Sequence, residues 1–285
     1  MATIYDLHSH SAASDGTLTP SELVARAASA GVGVLALTDH DTTDGIEEAG
    51  NAALEYSICL VAGVEISVTW GGQVVHVVGL GINPGNEVLQ EGLAGLRKFR
   101  EWRAGEIGRR LQREGIEGAY EGASAHARGA LISRTHFARF LVDQGYADDM
   151  RKVFKHYLTK GKPGHVAGEW ADLADAIGWI RQAGGEAVIA HPARYSMTRS
   201  KLKRLLGEFR EAGGVALEVV SSSHSRDEVF AMAKHALDHR LMASVGSDFH
   251  GPETPWAALG RLQPLPPTVT PIWSDWEPCE QAGTA

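Results

Sequence analysis

Short apolar runs alternate with amphipathic segments along most of this 285-residue chain, and this alternation constrains its fold more than any other feature. The runs have the length and the Val, Ile and Leu content of buried strands, and they occupy residues 4–7, 32–38, 58–68, 73–80, 187–190, 215–220 and 241–245. Helical periodicity separates most of them, whereas the third and fourth are joined at Gly71-Gly72. Repeated strand–helix–strand units predict an α/β protein with a parallel sheet or barrel.

The middle of the chain has a different pattern. From residue 86 to residue 162 the apolar residues recur at helical spacing, as in Leu89, Leu93 and Leu96, and no strong strand signal interrupts them. This stretch predicts a helical insertion or cap, with a loop over the Gly- and Ala-rich segment 115–129. The predicted division is a discontinuous barrel (1–85 and 163–270), a helical insertion (86–162) and a C-terminal tail (271–285).

The charge balance restricts the partners. With 27 basic and 35 acidic residues the net charge is −8, which disfavours a dedicated polyanion-binding protein with a basic surface. Anionic substrates remain compatible with this charge, because bound divalent ions would add local positive charge. No cationic start with an apolar run follows Met1, and no stretch reaches roughly eighteen apolar residues, so we expect a cytoplasmic protein that does not enter a membrane. We predict no stable protein partner.

Imidazole and carboxylate side chains lie within or just beyond the predicted strands. His8 and His10 end the first strand, where the alternation of side chains places both rings on the same face. With Asp15 there are nine candidates for metal binding: His8, His10, Asp15, His40, Glu65, His76, His191, Asp248 and His250. Because the carboxyl ends of the strands in a β/α barrel converge on one mouth, we expect these side chains to form a metal site.

The types of donor restrict the metal and the reaction. A thiolate site would require closely spaced cysteines, and the two cysteines, Cys59 and Cys279, lie far apart. Mixed imidazole and carboxylate donors suit Mn, Fe or Zn, of which we expect Mn. At roughly three to four protein ligands per ion, the candidates suit two or three divalent ions per chain.

Clustered divalent ions generate a hydroxide nucleophile and hold a phosphoryl group for in-line displacement, so phosphoester hydrolysis fits this donor set best. Amide or amidine hydrolysis is the alternative, since a barrel with a His-x-His pair also suits amidohydrolases. A carboxylated, metal-bridging lysine is expected in many of those enzymes, and no predicted strand ends in Lys.

Six motifs carry the candidate ligands: Asp6-Leu7-His8-Ser9-His10 with Asp15-Gly16, Leu37-Thr38-Asp39-His40-Asp41, Gly63-Val64-Glu65-Ile66, His76-Val77-Val78-Gly79, Ala190-His191-Pro192 and Gly246-Ser247-Asp248-Phe249-His250. In this order they closely resemble the motifs of the PHP (polymerase and histidinol phosphatase) family. The resemblance implies a distorted seven-stranded (β/α) barrel with a trinuclear metal site. It implies one ion held by His8, His10, Glu65 and Asp248, a second held by Glu65, His76 and His191 with Glu65 bridging, and a third held by Asp15, His40 and His250.

Within the family, the helical insertion is similar to that of a small stand-alone branch, notably at Ser133-Arg134-Thr135-His136-Phe137-Ala138 and Lys160-Gly161-Lys162-Pro163. Members of this branch remove the 3′-phosphate of 3′,5′-nucleoside bisphosphates such as adenosine 3′,5′-bisphosphate, and some trim the 5′ ends of short RNAs. The resemblance therefore implies a metal-dependent phosphomonoesterase with a small nucleotide substrate. The alternatives are a 5′-to-3′ exonuclease on short RNA or DNA, a phosphatase for another phosphomonoester such as histidinol phosphate, and a non-catalytic nucleotide-binding barrel. The complete ligand set disfavours the last.

A bisphosphate also requires cations for the phosphate that is not cleaved, and arginine suits bidentate contact with it. The candidates for substrate binding are Arg134 and His136, at the predicted start of a helix, and Arg194, which follows His191 on the same loop. A solvated surface position is the alternative interpretation for each arginine. Among the candidate ligands, His191 and Asp248 are also the predicted catalytic residues, and either His191 or the third ion would assist the departing ribose oxygen.

Overall fold

The computed structural model describes residues 3–254 and 256–276. Within these residues, seven strands pair side by side in chain order and nearly close into a barrel. The strands are β1 (Ile4–Asp6), β2 (Val32–Leu37), β3 (Cys59–Trp70), β4 (Gln73–Leu80), β5 (Glu186–Ile189), β6 (Ala216–Ser221) and β7 (Met242–Gly246). The backbone N–H of Leu7 donates to the carbonyl of Val245 at 3.0 Å and so joins the two ends of the sheet. The predicted α/β class and seven-stranded barrel are confirmed.

Amphipathic helices cover the barrel and form the segment between β4 and β5. In the described ranges they are α1 (Pro20–Ser29), α2 (Ile46–Tyr56), α3 (Glu87–Arg113), α4 (Ala119–His126), α5 (Arg134–Asp143), α6 (Met150–Val153), α7 (Leu173–Gln182), α8 (Arg199–Glu211) and α9 (Arg226–His239). Local sequence fixes several of their ends. At the start of α1, for example, Thr19 accepts the N–H of Glu22 and Pro20 occupies the first turn. No helix in this part of the chain combines the length and apolar character needed to cross a membrane.

One strand departs from the parallel order expected of strand–helix–strand units. β4 is antiparallel to both β3 and β5, and Trp70 pairs with Gln73 across a turn at Gly71 and Gly72. Both glycines have positive φ, at 54° and 74°, a conformation that other residues adopt only with strain. A two-residue connection can join only antiparallel neighbours, which is the physical reason for the reversal. Because β4 is reversed, His76 lies early in its strand yet at the same end of the barrel as Glu65.

The helices between β4 and β5 have a hydrophobic cluster of their own. It includes Leu111 of α3, Phe137 and Leu141 of α5, and Leu158 after α6. The first half of α3 packs instead on the barrel cluster, through residues such as Leu89. The barrel and the helical segment therefore share a single long helix.

The prediction of a loop over residues 115–129 is wrong, because α4 occupies its centre. Gly118, with φ of 64°, turns the chain into this helix, and Ala119 and Ala123 are buried. A Cβ at Gly122 would lie 2.1 Å from the ring of Phe140, so glycine here permits close helix packing. The small residues that predict a loop are instead required where α4 packs closely on α5.

The described chain beyond Pro252 lacks long helices and strands, but part of it is buried. Pro271 pairs with Ala243, Ile272 is buried with Val34 and Val188 in a core cluster, and Trp273 stacks on Tyr5. The first residues of the predicted C-terminal tail therefore pack on the barrel. Of the predicted tail, 271–285, residues 277–285 lie outside the described residues.

Candidate metal centre

The His8–His10 pair follows β1 with both rings on one face, as predicted. Their Nε2 atoms lie 3.0 Å apart, and both side chains are fully buried. The Asp248 carboxylate, which follows β7, lies 3.3 Å from His10 Nε2 and 3.5 Å from His8 Nε2 through its Oδ1. The parallel pairing of the barrel strands thus brings together two ends of the chain that are far apart in sequence.

Glu65 occupies the centre of the cluster, and its two carboxylate oxygens face different sets of imidazoles. Oε2 lies 2.8–3.4 Å from nitrogens of His8, His10 and His40. Oε1 lies 2.7 Å from His76 Nδ1 and 3.2 Å from His191 Nε2. A carboxylate in this position can bridge two cations.

A third part of the cluster contains Asp15, His40 and His250. Asp15 Oδ1 lies 3.3 Å from His250 Nε2 and 3.9 Å from His40 Nε2. Together with His10, these side chains offer donor atoms that all lie within 4.8 Å of one another. All nine predicted ligand candidates therefore lie in a single cluster at the barrel mouth.

The hydrogen bonding within this cluster is incomplete in a way that suits cations. Within the described part of the chain, buried atoms without a hydrogen-bond partner include His10 Nδ1, Asp15 Oδ1, His40 Nδ1, Glu65 Oε2 and His191 Nδ1. Leaving a buried polar atom unsatisfied costs about 1–3 kcal/mol, so several in one place would be strongly unfavourable without a ligand. Buried imidazoles and carboxylates with no thiolate are donors that suit divalent metal ions.

At two of the candidate ligands, Glu65 and His10, the electrostatics favour the protonation state that metal binding requires. Burial alone would raise the pKa of the Glu65 carboxyl, but the imidazoles of His40, His76 and His8 outweigh it and hold this pKa well below its usual value. Burial, with the nearby rings of His250 and His40, lowers the pKa of His10 to about 3. At neutral pH, Glu65 is therefore an anion and His10 a neutral imidazole.

Two residues of the cluster have strained backbone conformations. His191 has a φ of 29° and Asp248 a φ of 55°, in the region that favours glycine. Such conformations cost roughly 1–3 kcal/mol each and are maintained only where the surroundings determine them. Both of the predicted catalytic residues are thus held in place by the surrounding fold.

A cavity of about 1860 Å³ opens above the cluster and is lined by residues of both the barrel mouth and the helical segment 86–162. Its cationic lining residues include Arg100, Arg103, Arg134, Arg139, Arg151, Lys160 and Arg194. Arg134 is half-buried, with its guanidinium 5.6 Å from the ring centroid of Phe154. Burial and the nearby Arg134 and Arg100 lower the pKa of Arg103 to about 9. Guanidinium groups that crowd one another in this way favour a bound anion.

The other two predicted substrate-binding residues differ in their surroundings. Arg194 is half exposed at the mouth, and its Nη1 lies 2.5 Å from Asp248 Oδ2. His136 is buried, and its Nδ1 accepts the backbone N–H of Ser133 at 3.0 Å, where it caps α5. In this structure His136 therefore acts as a helix cap, and its contact with substrate stays a prediction.

Comparison with known proteins identifies the family. The family model for the PHP domain matches residues 6–222. The chain is 51% identical to the 3′,5′-nucleoside bisphosphate phosphatase of Chromobacterium violaceum, over 97% of each sequence. The chain belongs to the PHP domain family. It is also 46% identical to the 5′-3′ exoribonuclease Rnm of Escherichia coli, over 97% of this chain and 94% of Rnm.

A solved structure of a PHP family relative confirms the fold. The protein, described as an amidohydrolase from Chromobacterium violaceum with bound sulfate, superposes with a TM-score of 0.92 at 50% identity, covering 95% of each chain. The predicted membership of the PHP family is confirmed. So is the prediction of a phosphoric monoester hydrolase, which agrees with the family match and the phosphatase relative.

One important residue of this PHP site is not among the nine predicted ligands. Glu218 of β6 is buried, its Oε1 lies 2.6 Å from His8 Nδ1, and its Oε2 accepts the backbone N–H of His191 at 2.6 Å. A hydrogen bond from His8 Nδ1 to this carboxylate places a proton on Nδ1, and Nε2 faces the cluster. A Cβ at Gly246 would lie 2.2 Å from the Cβ of His8 and 3.0 Å from Glu218 Oε1, so glycine at this position leaves room for both side chains.

The sequence did contain a signal for this residue. Glu218 interrupts the apolar run Val215–Val220, just as Glu65 interrupts its own strand. A lone carboxylate in a buried strand requires a partner.

Proposed function

We propose that this protein is a cytoplasmic phosphatase that removes the 3′-phosphate of 3′,5′-nucleoside bisphosphates, giving the 5′-mononucleotide. The observation that carries the proposal is the pair Arg103 and Arg134 on the wall of the cavity that contains the ligand cluster. Among the described residues, neither forms an ion pair with a carboxylate, and both are partly removed from solvent. Two unpaired guanidinium groups beside a metal centre suit a substrate with a second phosphate.

The nine clustered residues would hold the divalent ions, of which we propose two or three per chain with Mn as the resident metal. Overlapping donor groups support more than one ion: His8, His10 and Glu65; His40, Glu65 and His76; and His10, Asp15, His40 and His250. The first group contains three of the four ligands expected for one ion from the family resemblance, and the third contains all three expected for another. In the second, His40 takes the place of His191, although His191 remains 3.2 Å from Glu65. When bound, the ions act as Lewis acids and lower the pKa of water to provide the nucleophile.

The chain's own residues orient the substrate. Arg103 and Arg134 hold the 5′-phosphate on the wall formed by α3 and α5. Arg194 pairs with Asp248 at the mouth and is half exposed, so its guanidinium can turn to an oxygen of the phosphoryl group that is transferred. The barrel (1–85 and 163–270) thus contains the reaction centre, and residues of the insertion (86–162) bind the second phosphate.

A second candidate function is 5′-to-3′ hydrolysis of short RNA. The cavity, at about 1860 Å³, exceeds the 300–1,000 Å³ typical of small-molecule sites and could admit more than one nucleotide. The net charge of −8 disfavours long nucleic acids. We therefore place this activity second.

The proposal is tested with Mn-loaded protein and three substrates: adenosine 3′,5′-bisphosphate, a short 5′-phosphorylated RNA and histidinol phosphate. We expect the highest kcat/KM for the bisphosphate, with the 5′-mononucleotide and phosphate as products. A higher value for the RNA would favour the second candidate function. Phosphate release from histidinol phosphate alone would refute both.

A matched substrate tests the grip on the second phosphate. We expect Arg134→Ala to lower kcat/KM for adenosine 3′,5′-bisphosphate roughly tenfold to hundredfold, since a hydrogen bond to a charged group is lost. For adenosine 3′-monophosphate, which lacks the 5′-phosphate, the value should change little. Arg109→Ala, on the exposed face of α3, is the control variant and should affect neither substrate. Equal losses on both substrates would contradict the assigned role of Arg134.

A further inference from the structure

We infer that the helical insertion orients a ligand of the metal centre: Ser133 and Thr135 fix the Asp15 carboxylate, so that the cation held with His40 and His250 depends on the insertion. This inference rests on the proposed metal-dependent function, and it assigns to the insertion a role beyond contact with substrate. Ser133 and Thr135 are positioning residues, because they act through Asp15.

The two oxygens of the Asp15 carboxylate have different surroundings. Oδ2 accepts hydrogen bonds from Thr135 Oγ1 at 2.9 Å and from Ser133 Oγ at 3.2 Å. Oδ1 has no hydrogen-bond partner among the described residues and lies 3.3 Å from His250 Nε2. The insertion therefore occupies one oxygen and leaves the other directed at the imidazoles of the barrel.

The start of α5 determines where the two hydroxyl groups point. Ser133 is the N-cap, and its Oγ accepts the N–H of Thr135 at 3.0 Å. Because that bond uses a lone pair of the oxygen, the hydroxyl proton of Ser133 is free to point to Asp15. His136 closes the cap by accepting the N–H of Ser133. The partial positive charge at the helix N-terminus adds to the stabilisation of the carboxylate.

The backbone around Asp15 is held by the same helix. Arg139, one turn further along α5, donates from Nη2 to the Asp15 carbonyl at 3.0 Å and to Glu253 Oε1 at 3.3 Å. Glu253 follows β7 close to His250, so Arg139 links the loops that carry both ligands. The side chain and the backbone of Asp15 are thus both bonded to the insertion.

A second helix of the insertion supports the same side of the centre. Arg100 of α3 donates from Nε to Asp41 Oδ2 at 2.6 Å and from Nη2 to Ser67 Oγ at 2.9 Å. Asp41, the neighbour of His40, has a φ of 52°, and its Oδ1 accepts the N–H of Ser67 at 2.8 Å. This network fixes the chain beside His40. Of the three proposed ligands Asp15, His40 and His250, the first is therefore bonded to the insertion directly and the second is next to a residue that is.

The test is Mn²⁺ binding to metal-free full-length protein, measured by equilibrium dialysis with elemental analysis, for wild type and the double variant S133A/T135V. We expect one ion per chain to bind roughly 10- to 100-fold more weakly in the double variant, as is typical when a residue that orients a ligand is lost, with the other affinities unchanged. The single variant Thr135→Ser keeps a hydroxyl group at this position and retains Ser133. It should therefore bind Mn²⁺ with the wild-type affinity.

Asn86→Ala is the matched control. Asn86 caps the start of α3, in the same insertion, and its side chain contacts Leu89 and Gln182. Its loss should lower the melting temperature without changing Mn²⁺ affinity. If S133A/T135V behaves in the same way, with all Mn²⁺ affinities at wild-type values, Ser133 and Thr135 only cap the helix and the inference is wrong.

Failure of the proposed function gives a different result. If the wild type binds Mn²⁺ but does not hydrolyse adenosine 3′,5′-bisphosphate, that function is wrong, whereas weaker binding of one ion by the double variant still supports the role of the insertion. If the wild type binds no Mn²⁺ at all, both are refuted.

Discussion

Replacement of Glu218 by alanine should weaken metal binding without touching any of the nine candidate ligands. The carboxylate is 1% exposed and makes two short contacts, each of 2.6 Å, to His8 Nδ1 and to the His191 backbone N–H. A charge-assisted hydrogen bond of this kind contributes about 1.5–3 kcal/mol, and its loss frees the His8 ring to rotate or to change tautomer. Loss of such a supporting carboxylate typically lowers metal affinity roughly 10- to 100-fold, or about 1.4–2.7 kcal/mol.

The measurement is calorimetric titration of metal-free protein with Mn²⁺, together with kcat at saturating Mn²⁺. Glu218→Gln keeps one oxygen as an acceptor, so its affinity should lie between those of the wild type and Glu218→Ala. Glu186→Gln is the control, because Glu186 accepts a hydrogen bond from Trp276 away from the cluster. Wild-type Mn²⁺ affinity in Glu218→Ala would refute the reasoning that Glu218 fixes His8.

Three further predictions concern titration and a ligand. Although burial opposes it, Asp15 and Asp248 raise the pKa of His250 to about 9 in the metal-free protein, so Mn²⁺ affinity should rise with pH up to about 9. Calorimetry in buffers of different ionisation enthalpy should then detect proton release, and its absence would contradict the prediction. Burial raises the pKa of Asp6 to about 6 from 3.8, despite hydrogen bonds from Ser247 and Gly260. The folded state therefore binds this proton more tightly than the unfolded state, and the free energy of unfolding should fall by about 2 kcal/mol between pH 4 and 6. In urea unfolding, the Asp6→Asn variant should lack this fall in the free energy of unfolding between pH 4 and 6. The same fall in the variant and the wild type would contradict the prediction. Asp248→Ala should lose bound metal and hydrolysis together, and full turnover with unchanged metal content would exclude Asp248 from the site.

The sequence predicts the cluster well because its members follow strands. Alternation along β1 places His8 and His10 on one face, and strand pairing then brings Asp248 and Glu65 to the same mouth. These consequences need only local patterns and the known geometry of barrels. The reversal of β4 follows in the same way from the short Gly71-Gly72 turn, once that turn is recognised as a hairpin.

Contacts between distant segments are much harder to predict. Glu218 is 210 positions from His8, and nothing local indicates that the two meet. The same holds for Thr135 of the insertion and Asp15 of the barrel, which are far apart in the sequence. Side chains with two local uses are also ambiguous: His136 has the chemistry of a binding residue but is used as a helix cap.

The central claim is that the residues at the barrel mouth hold divalent ions beside the arginine-lined cavity. It is tested most directly by anomalous diffraction from crystals of the protein grown with Mn²⁺. We expect two or three anomalous peaks at the mouth, each about 2.0–2.2 Å from donor atoms. The carboxylate of Glu65 should lie between two of these peaks. Crystals with Mn²⁺ present but no anomalous peak among these side chains would contradict the claim.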